Sequence, residues 1–239
     1  MNMKKSELLN FVGRYHLAGA TTSVKWVAKD GKLETEFITD DQNVIGNVKT
    51  DLDLGNHELG VYATPQLVKM LSAVGDDLDV IVNGVDKTAV SMKIKDKDVN
   101  MTFMLADLSV IRQVPDLKNT PDWNITIELT NDFINKFIKA KNALPESENF
   151  GVSSTSGTVD MIINYSTINT NRIRFSVNSD KSSDMPITCF SSTLFKEILQ
   201  ANKNFEYAEL NVSSAGLARV IFKLAKGEAT YYLVQLQTA

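Results

Sequence analysis

The chain has 239 residues, with 25 basic against 29 acidic side chains and a formal net charge of −4. That length buries a core for one large domain or two of ordinary size, and 43% hydrophobic against 23% charged residues excludes a disordered chain. The mild acidity excludes a generic nucleic-acid binder with a basic surplus, but not one that concentrates its cations on a single surface.

Residues 6–15 form the first expected helix, with Leu8, Leu9 and Val12 on one stripe and Asn10 and Arg14 opposite. Strands are expected at 24–28, 33–38, 43–48 and 58–62, with Asp30-Gly31 as a tight turn between the first two. Thr64-Pro65 opens a second helix in the order of cap then proline. Its stripe is Leu67, Val68, Leu71 and Val74; Lys69 points away and Gly75 stops it. Strands follow at 78–82, 88–94 and 99–105. Residues 114–124 hold two prolines and break the pattern, so they read as a linker. The expected division is therefore domain 1 at 1–113, a connector at 114–123 and domain 2 at 124–239.

The second half restarts with a strand at 125–129, and Thr130 caps a third helix. Phe133, Ile134, Phe137 and Ile138 turn inward there, with Lys136 and Lys139 outward or flanking. After Pro145, strands are expected at 149–153, 158–165, 172–177 and 187–190. A fourth helix at 191–204 is apolar at Leu194, Phe195, Ile198 and Leu199, with Lys196, Gln200 and Lys203 on the other face. Strands at 206–212, 217–224 and 229–236 close the chain.

One lysine stripe on one helix is an ordinary solvated face. Here the device recurs. Sliding the first helix onto the third matches Leu8, Leu9 and Val12 with Phe133, Ile134 and Phe137, and puts Arg14 on Lys139. Sliding the second onto the fourth matches Leu67, Val68 and Leu71 with Leu194, Phe195 and Ile198, and puts Lys69 on Lys196. Each half thus reads as helix, strands, helix, three strands, with helices covering one sheet face and turning cations the other way.

No phosphate-binding glycine loop, dinucleotide fingerprint or nucleophile elbow is present. Cys189 with His16 and His57 makes no zinc set, and nothing flanking them supports a nucleophile pair. The single cysteine reads as a buried core residue in a reducing compartment. Asp51/Asp53 and Asp76/Asp77/Asp79 read as solvated turn charge. No catalytic residue, metal site or cofactor is expected, and so no enzyme. No run approaches a signal peptide or a membrane span, so no membrane partner is expected.

The repeated halves, the proline-bearing connector, and residues 59–77, 130–165 and 205–236 resemble the DNA polymerase sliding clamps of T-even-type tailed phages. The resemblance covers nearly the whole chain; a first strand before helix one is missing or very short. It implies an α+β DNA clamp fold of two similar domains, each with antiparallel sheets and two helices. Three copies would close a pseudo-six-fold ring around duplex DNA. The implied function is a processivity factor that slides without reading sequence and tethers DNA polymerase after a clamp loader has placed it. Its location would be cytoplasmic, in the host cell if phage-encoded. The resemblance turns the helix cations into a channel lining: Arg14, Lys69, Lys136, Lys139, Lys196 and Lys203, with Lys4 and Lys5 beside them. It implies a pocket for partner tail peptides bordered by the connector, at Val44, Ile45, Leu117 and Leu236. Subunits would join by sheet edges, residues 99–105 (Met101, Phe103, Leu105) of one chain against 172–177 (Arg172, Arg174, Phe175) of the next. The alternatives are a phage structural protein and a non-ring peptide-binding scaffold of repeated β-rich domains.

Overall fold

The computed structural model describes residues 1–85, 88–117 and 119–237. Lys118 of the connector, and Thr238 and Ala239 of the second expected domain, lie outside the described residues. The chain forms two compact units. Unit 1 comprises residues 1–40, 46–115 and 226–229; unit 2 comprises 41–45, 116–225 and 230–239.

Unit 1 opens with β1 (Asn2–Lys4) and α1 (Lys5–His16), then a 3₁₀ turn at Leu17–Gly19. Next come β2 (Val24–Lys29), β3 (Lys32–Ile38), β4 (Val44–Thr50) and β5 (His57–Val61). After α2 (Thr64–Leu71) come β6 (Asp77–Val85), β7 (Thr88–Lys95), β8 (Asn100–Met104) and a 3₁₀ turn at Leu108–Val110. One sheet runs β1-β6-β7-β8, all antiparallel, and the strands before α2 follow the order β4-β3-β2-β5. The β2–β3 hairpin turns on Asp30 (φ 51°) and Gly31 (φ 74°), the left-handed pair that a two-residue hairpin loop needs. β1 exists because its register against β6 is pinned: the Met1 amino group donates to Asp79 (2.8 Å) and to the Val80 carbonyl (2.9 Å).

α1 buries Leu8, Phe11, Val12 and Tyr15. Phe11 and Tyr15 meet Trp26 of β2 edge-on, at ring separations of 5.4 and 6.2 Å. α2 carries Pro65 in its first turn as expected, but Ala63 rather than Thr64 is its N-cap, no side chain caps it, and it stops at Leu71, short of Gly75. The Ser72 hydroxyl donates to the Lys69 carbonyl (2.6 Å) and ends it there.

Unit 2 comprises β9 (Ile125–Glu128), α3 (Asn131–Ala143), β10 (Asn149–Thr155), β11 (Thr158–Ile163), β12 (Ile173–Val177), β13 (Lys181–Ser182) and β14 (Met185–Ser191). α4 (Ser192–Ala201), β15 (Phe205–Ser213), β16 (Leu217–Leu224) and, from Thr230 on, β17 (Gly227–Val234) complete it. The sheet orders are β12-β11-β10-β14 and β13-β9-β15-β16-β17. Thr130 and Ser191 cap α3 and α4 with their side-chain oxygens, accepting from Phe133 N–H (3.2 Å) and Leu194 N–H (3.3 Å). Phe137 of α3 and Phe195 of α4 pack against Phe150 of β10 at 5.2 and 4.8 Å, which fixes both helices to one sheet. Cys189 is buried there.

The two units share an internal detail. Thr64 N–H, at the start of α2, donates to the Thr22 carbonyl (3.0 Å); Ser192 N–H, at the start of α4, donates to the Glu148 carbonyl (3.0 Å).

Candidate nucleic-acid interface

Within each unit the two helices pack side by side, and the apolar stripes that do this leave their polar residues outward. Lys69 on α2 and Lys139 on α3 are exposed and make no ion pair among the described residues. Lys136 is exposed as well, 3.8 Å from Asp132 one turn earlier and 5.9 Å from the centre of the Phe175 ring. Arg14 is half-buried on α1.

The other expected lining residues are placed differently. Lys196 is half-buried, 3.5 Å from Glu197. Lys203 is exposed but lies two residues beyond α4. The helix ends early because the Asn202 amide turns inward, donating to the Ile198 carbonyl (2.9 Å) and the Tyr231 hydroxyl (2.7 Å). Lys4 sits on β1 and pairs with Asp77, which raises its pKa. Lys5 opens α1 with its ammonium on the Val74 carbonyl (2.6 Å).

One cation was missed by the stripe argument. Lys141 on α3 is 5% exposed, and its ammonium donates to the Pro145 carbonyl (2.7 Å). Burial lowers its pKa, and the Lys196 ammonium lowers it further. Its helical position beside Phe137 and Ala140 is the signal that it would turn inward.

A groove of about 670 Å³ lies in unit 1. Its floor is the outward row of β2, β3 and β5, where Val27 pairs across to Glu34 on one side and Glu58 on the other. Its wall is Leu108, Ile111 and Val114, with Arg112 at the rim. Ala106 N–H donates to the Gly60 carbonyl (2.9 Å) and brings this segment over β5. Lys25 pairs with Glu58 at 3.2 Å within the groove. None of Val44, Ile45, Leu117 and Leu236 lines it. Val44 is fully buried, Ile45 and Leu236 are half-buried, and Leu117 is exposed. Val234 N–H donates to the Asn43 carbonyl (3.0 Å), so the segment carrying Leu236 runs beside the start of β4.

β8 and β12 are each the last strand of their sheets. Leu105 N–H donates inward to Val90 (2.8 Å), so by alternation the N–H groups of Thr102 and Met104 face the open edge. Met104 is 62% exposed, whereas Phe103 turns into the core at 4% and Met101 and Leu105 are half-buried. On β12, Arg174 pairs with Asp160 and Phe175 packs on Phe133 at 6.4 Å; Arg172 is exposed just before the strand. Among the described residues there is no acid, histidine or cysteine cluster able to hold a metal, and no helix long and apolar enough to cross a membrane.

No protein-family model matches the chain, and no curated protein matches it. Solved structures do match in fold. The proliferating cellular nuclear antigen of Entamoeba histolytica superposes with a TM-score of 0.74 at 14% identity, covering 99% of this chain and 98% of that one. The PCNA2–PCNA3 complex of Sulfolobus tokodaii matches at 0.74 and 12%, covering 98% of each chain. The PCNA of A. fulgidus, solved with the C-terminal region of FEN-1 bound to it, matches at 0.74 and 15%, covering 100% of this chain and 98% of that one. The fold is therefore the PCNA-type clamp fold, α+β with antiparallel sheets.

Proposed function

We propose that this chain is a sliding clamp, a DNA polymerase processivity factor of the kind found in T-even-type phages. The observation that carries the reading is the combination of the clamp fold with exposed cations on helices of both units, Lys69 on one and Lys136 and Lys139 on the other, in a chain of net charge −4. Three copies close head to tail, the edge of β8 on one copy pairing with β12 of the next, so that the helices line the hole. The lining cations attract phosphates without reading bases, which lets the ring slide. The acidic remainder discourages duplex from lying on the outside.

The link to DNA is topological, and the protein's own residues perform no bond chemistry. Polymerase and other partners attach by tail peptides. The groove beneath residues 108–114 and the neighbourhood of Ile45, Leu117 and Leu236, with Val44 in the core on the other face of Ile45's strand, are the two places offered for them. A clamp loader opens the ring, and the setting is the cytoplasm of an infected cell.

The test is primer extension with the cognate polymerase and loader at moderate salt. Wild type lengthens the products made per binding event; Lys69→Glu with Lys139→Glu shortens them toward the clamp-free length. Unchanged processivity in that double variant refutes the lining. A strict monomer at every protein concentration in sedimentation refutes the ring.

A further inference from the structure

Tyr62 lies between β5 and α2, outside every role assigned above, and is 65% exposed. Its hydroxyl has no hydrogen-bond partner among the described residues. It borders a hollow of about 480 Å³ together with Thr22, Ser23, Pro65, Gln66 and Lys69. Tyr62 follows β5 directly and precedes Ala63, the N-cap of α2, and the hollow sets it beside Gln66 and Lys69 of that helix.

The chemistry of the hollow is one ammonium, three hydroxyls and an amide. No carboxylate lines it, although acids outnumber bases in the chain. The nearest acid shown is Asp40, which accepts from the Thr22 hydroxyl at 3.2 Å. The helix end supplies nothing further. Thr64 N–H is taken by Thr22, Gln66 N–H and Leu67 N–H by the Ala63 carbonyl (3.0 Å each), and Pro65 has none. Recognition at this spot is left to side chains.

Unit 2 lacks the arrangement. The sequence offset that carries Lys69 onto Lys196 carries Tyr62 onto Cys189, and aligning the starts of α2 and α4 carries it onto Phe190; both are buried. Where the backbone of Thr22 receives the start of α2, that of Glu148 receives the start of α4, and Glu148 is an exposed carboxylate.

We infer that Tyr62 and Lys69 form a contact for the phosphate backbone of duplex DNA that unit 1 has and unit 2 does not. The ammonium supplies charge. The phenol donates its O–H to a phosphate oxygen, and its ring covers the adjoining sugar. A neutral donor adds grip that salt does not screen. The inference rests on the clamp reading.

The experiment is fluorescence anisotropy of a short duplex with the full chain, titrated at several salt concentrations from about 50 to 200 mM. Tyr62→Ala should weaken binding about three-fold and Tyr62→Phe about two-fold, both with the wild-type dependence on salt. Lys69→Ala should reduce the slope of log affinity against log salt by about one. If Lys69→Ala and Lys139→Ala flatten the slope while Tyr62→Ala binds like wild type, the inference fails and the clamp reading stands. If wild type binds no duplex even at about 50 mM salt, the inference fails while the clamp reading stands on its processivity test; if wild type binds but no lysine variant changes the slope, the channel lining fails and takes the inference with it. A Tyr62→Ala protein that loses polymerase binding but not DNA binding also overturns it, since the residue then serves a protein surface.

Discussion

Gly60 is where β5 meets the segment that walls the unit 1 groove, and replacing it with alanine tests that seat. A Cβ built there lies 2.3 Å from the Ala106 carbonyl oxygen and 3.5 Å from Ile111 Cγ1. Ordinary contact begins near 3.4 Å, so the carbonyl has to retreat by the difference from 2.3 Å, about 1.1 Å. That motion breaks the bond from Ala106 N–H to the Gly60 carbonyl, worth about 1 kcal/mol, and overpacks the site by about 1–3 kcal/mol. Against this, alanine restricts the unfolded chain and returns about 0.4–1 kcal/mol. The expected net loss is about 1–3 kcal/mol. Gly13 is the control: it sits inside α1 with nothing within 4 Å of the added carbon. Gly13→Ala should therefore stabilise by about 0.5–1 kcal/mol. Urea unfolding at one fixed protein concentration reads both, because assembly would otherwise shift the midpoint. Hydrogen exchange over residues 106–112 should quicken in Gly60→Ala alone. A Gly60→Ala protein as stable as Gly13→Ala, with unchanged exchange, would refute this account of how the groove is held.

Thr130→Ala and Ser191→Ala each remove a helix cap and should cost about 1 kcal/mol in urea unfolding. Asp160 accepts from the Ser176 hydroxyl (2.8 Å) and pairs with Arg174; Arg174 first, and Ser176 after it, hold its pKa below the usual aspartate range. Stability from a depressed carboxylate is complete above the unfolded-state value and is lost as pH falls through the folded-state value. Asp160→Asn should thus cost about 1 kcal/mol at pH 7, the exposed head of Arg174 adding little, and the gap to wild type should close in acid unfolding curves. Thr102→Pro removes an outward N–H from the β8 edge without touching the inward ladder. On the proposed head-to-tail closure, sedimentation should show this variant dissociating at concentrations where wild type stays assembled, while circular dichroism stays like wild type.

Much of this plan is legible in the sequence. Apolar spacing marks all four helices, Thr130 announces its cap, and Asp30-Gly31 its hairpin. β1 is not legible: three residues carry no periodicity, and what makes them a strand is antiparallel pairing with β6, Asn2 opposite Asp79 and Met3 opposite Leu78. The groove is equally hidden, because Val27, Glu34 and Glu58 become neighbours only through sheet register. Lys141 has no role in the apolar stripe of α3, and it goes inward because its long side chain reaches the Pro145 carbonyl past the helix end. At β8 the side chains of Thr102 and Met104, not that of the larger Phe103, are exposed, since alternation rather than size decides which face of the sheet a side chain takes.

Unit 1 has one further property with a consequence in time. It includes Lys226–Ala229, whose first residue receives the Thr50 hydroxyl (2.8 Å) and the Asp51 N–H (3.0 Å) on its carbonyl, and pairs its ammonium with Glu7 at 2.6 Å. Gly227 fits there only because it lacks a side chain: a Cβ would stand 2.0 Å from the Lys49 carbonyl oxygen. A ribosome that has made residues 1–115 has therefore not yet made all of unit 1. The half begun first waits for residues 226–229 to emerge, so a nascent chain stalled before them should remain open to protease at Asp51 long after its helices have formed.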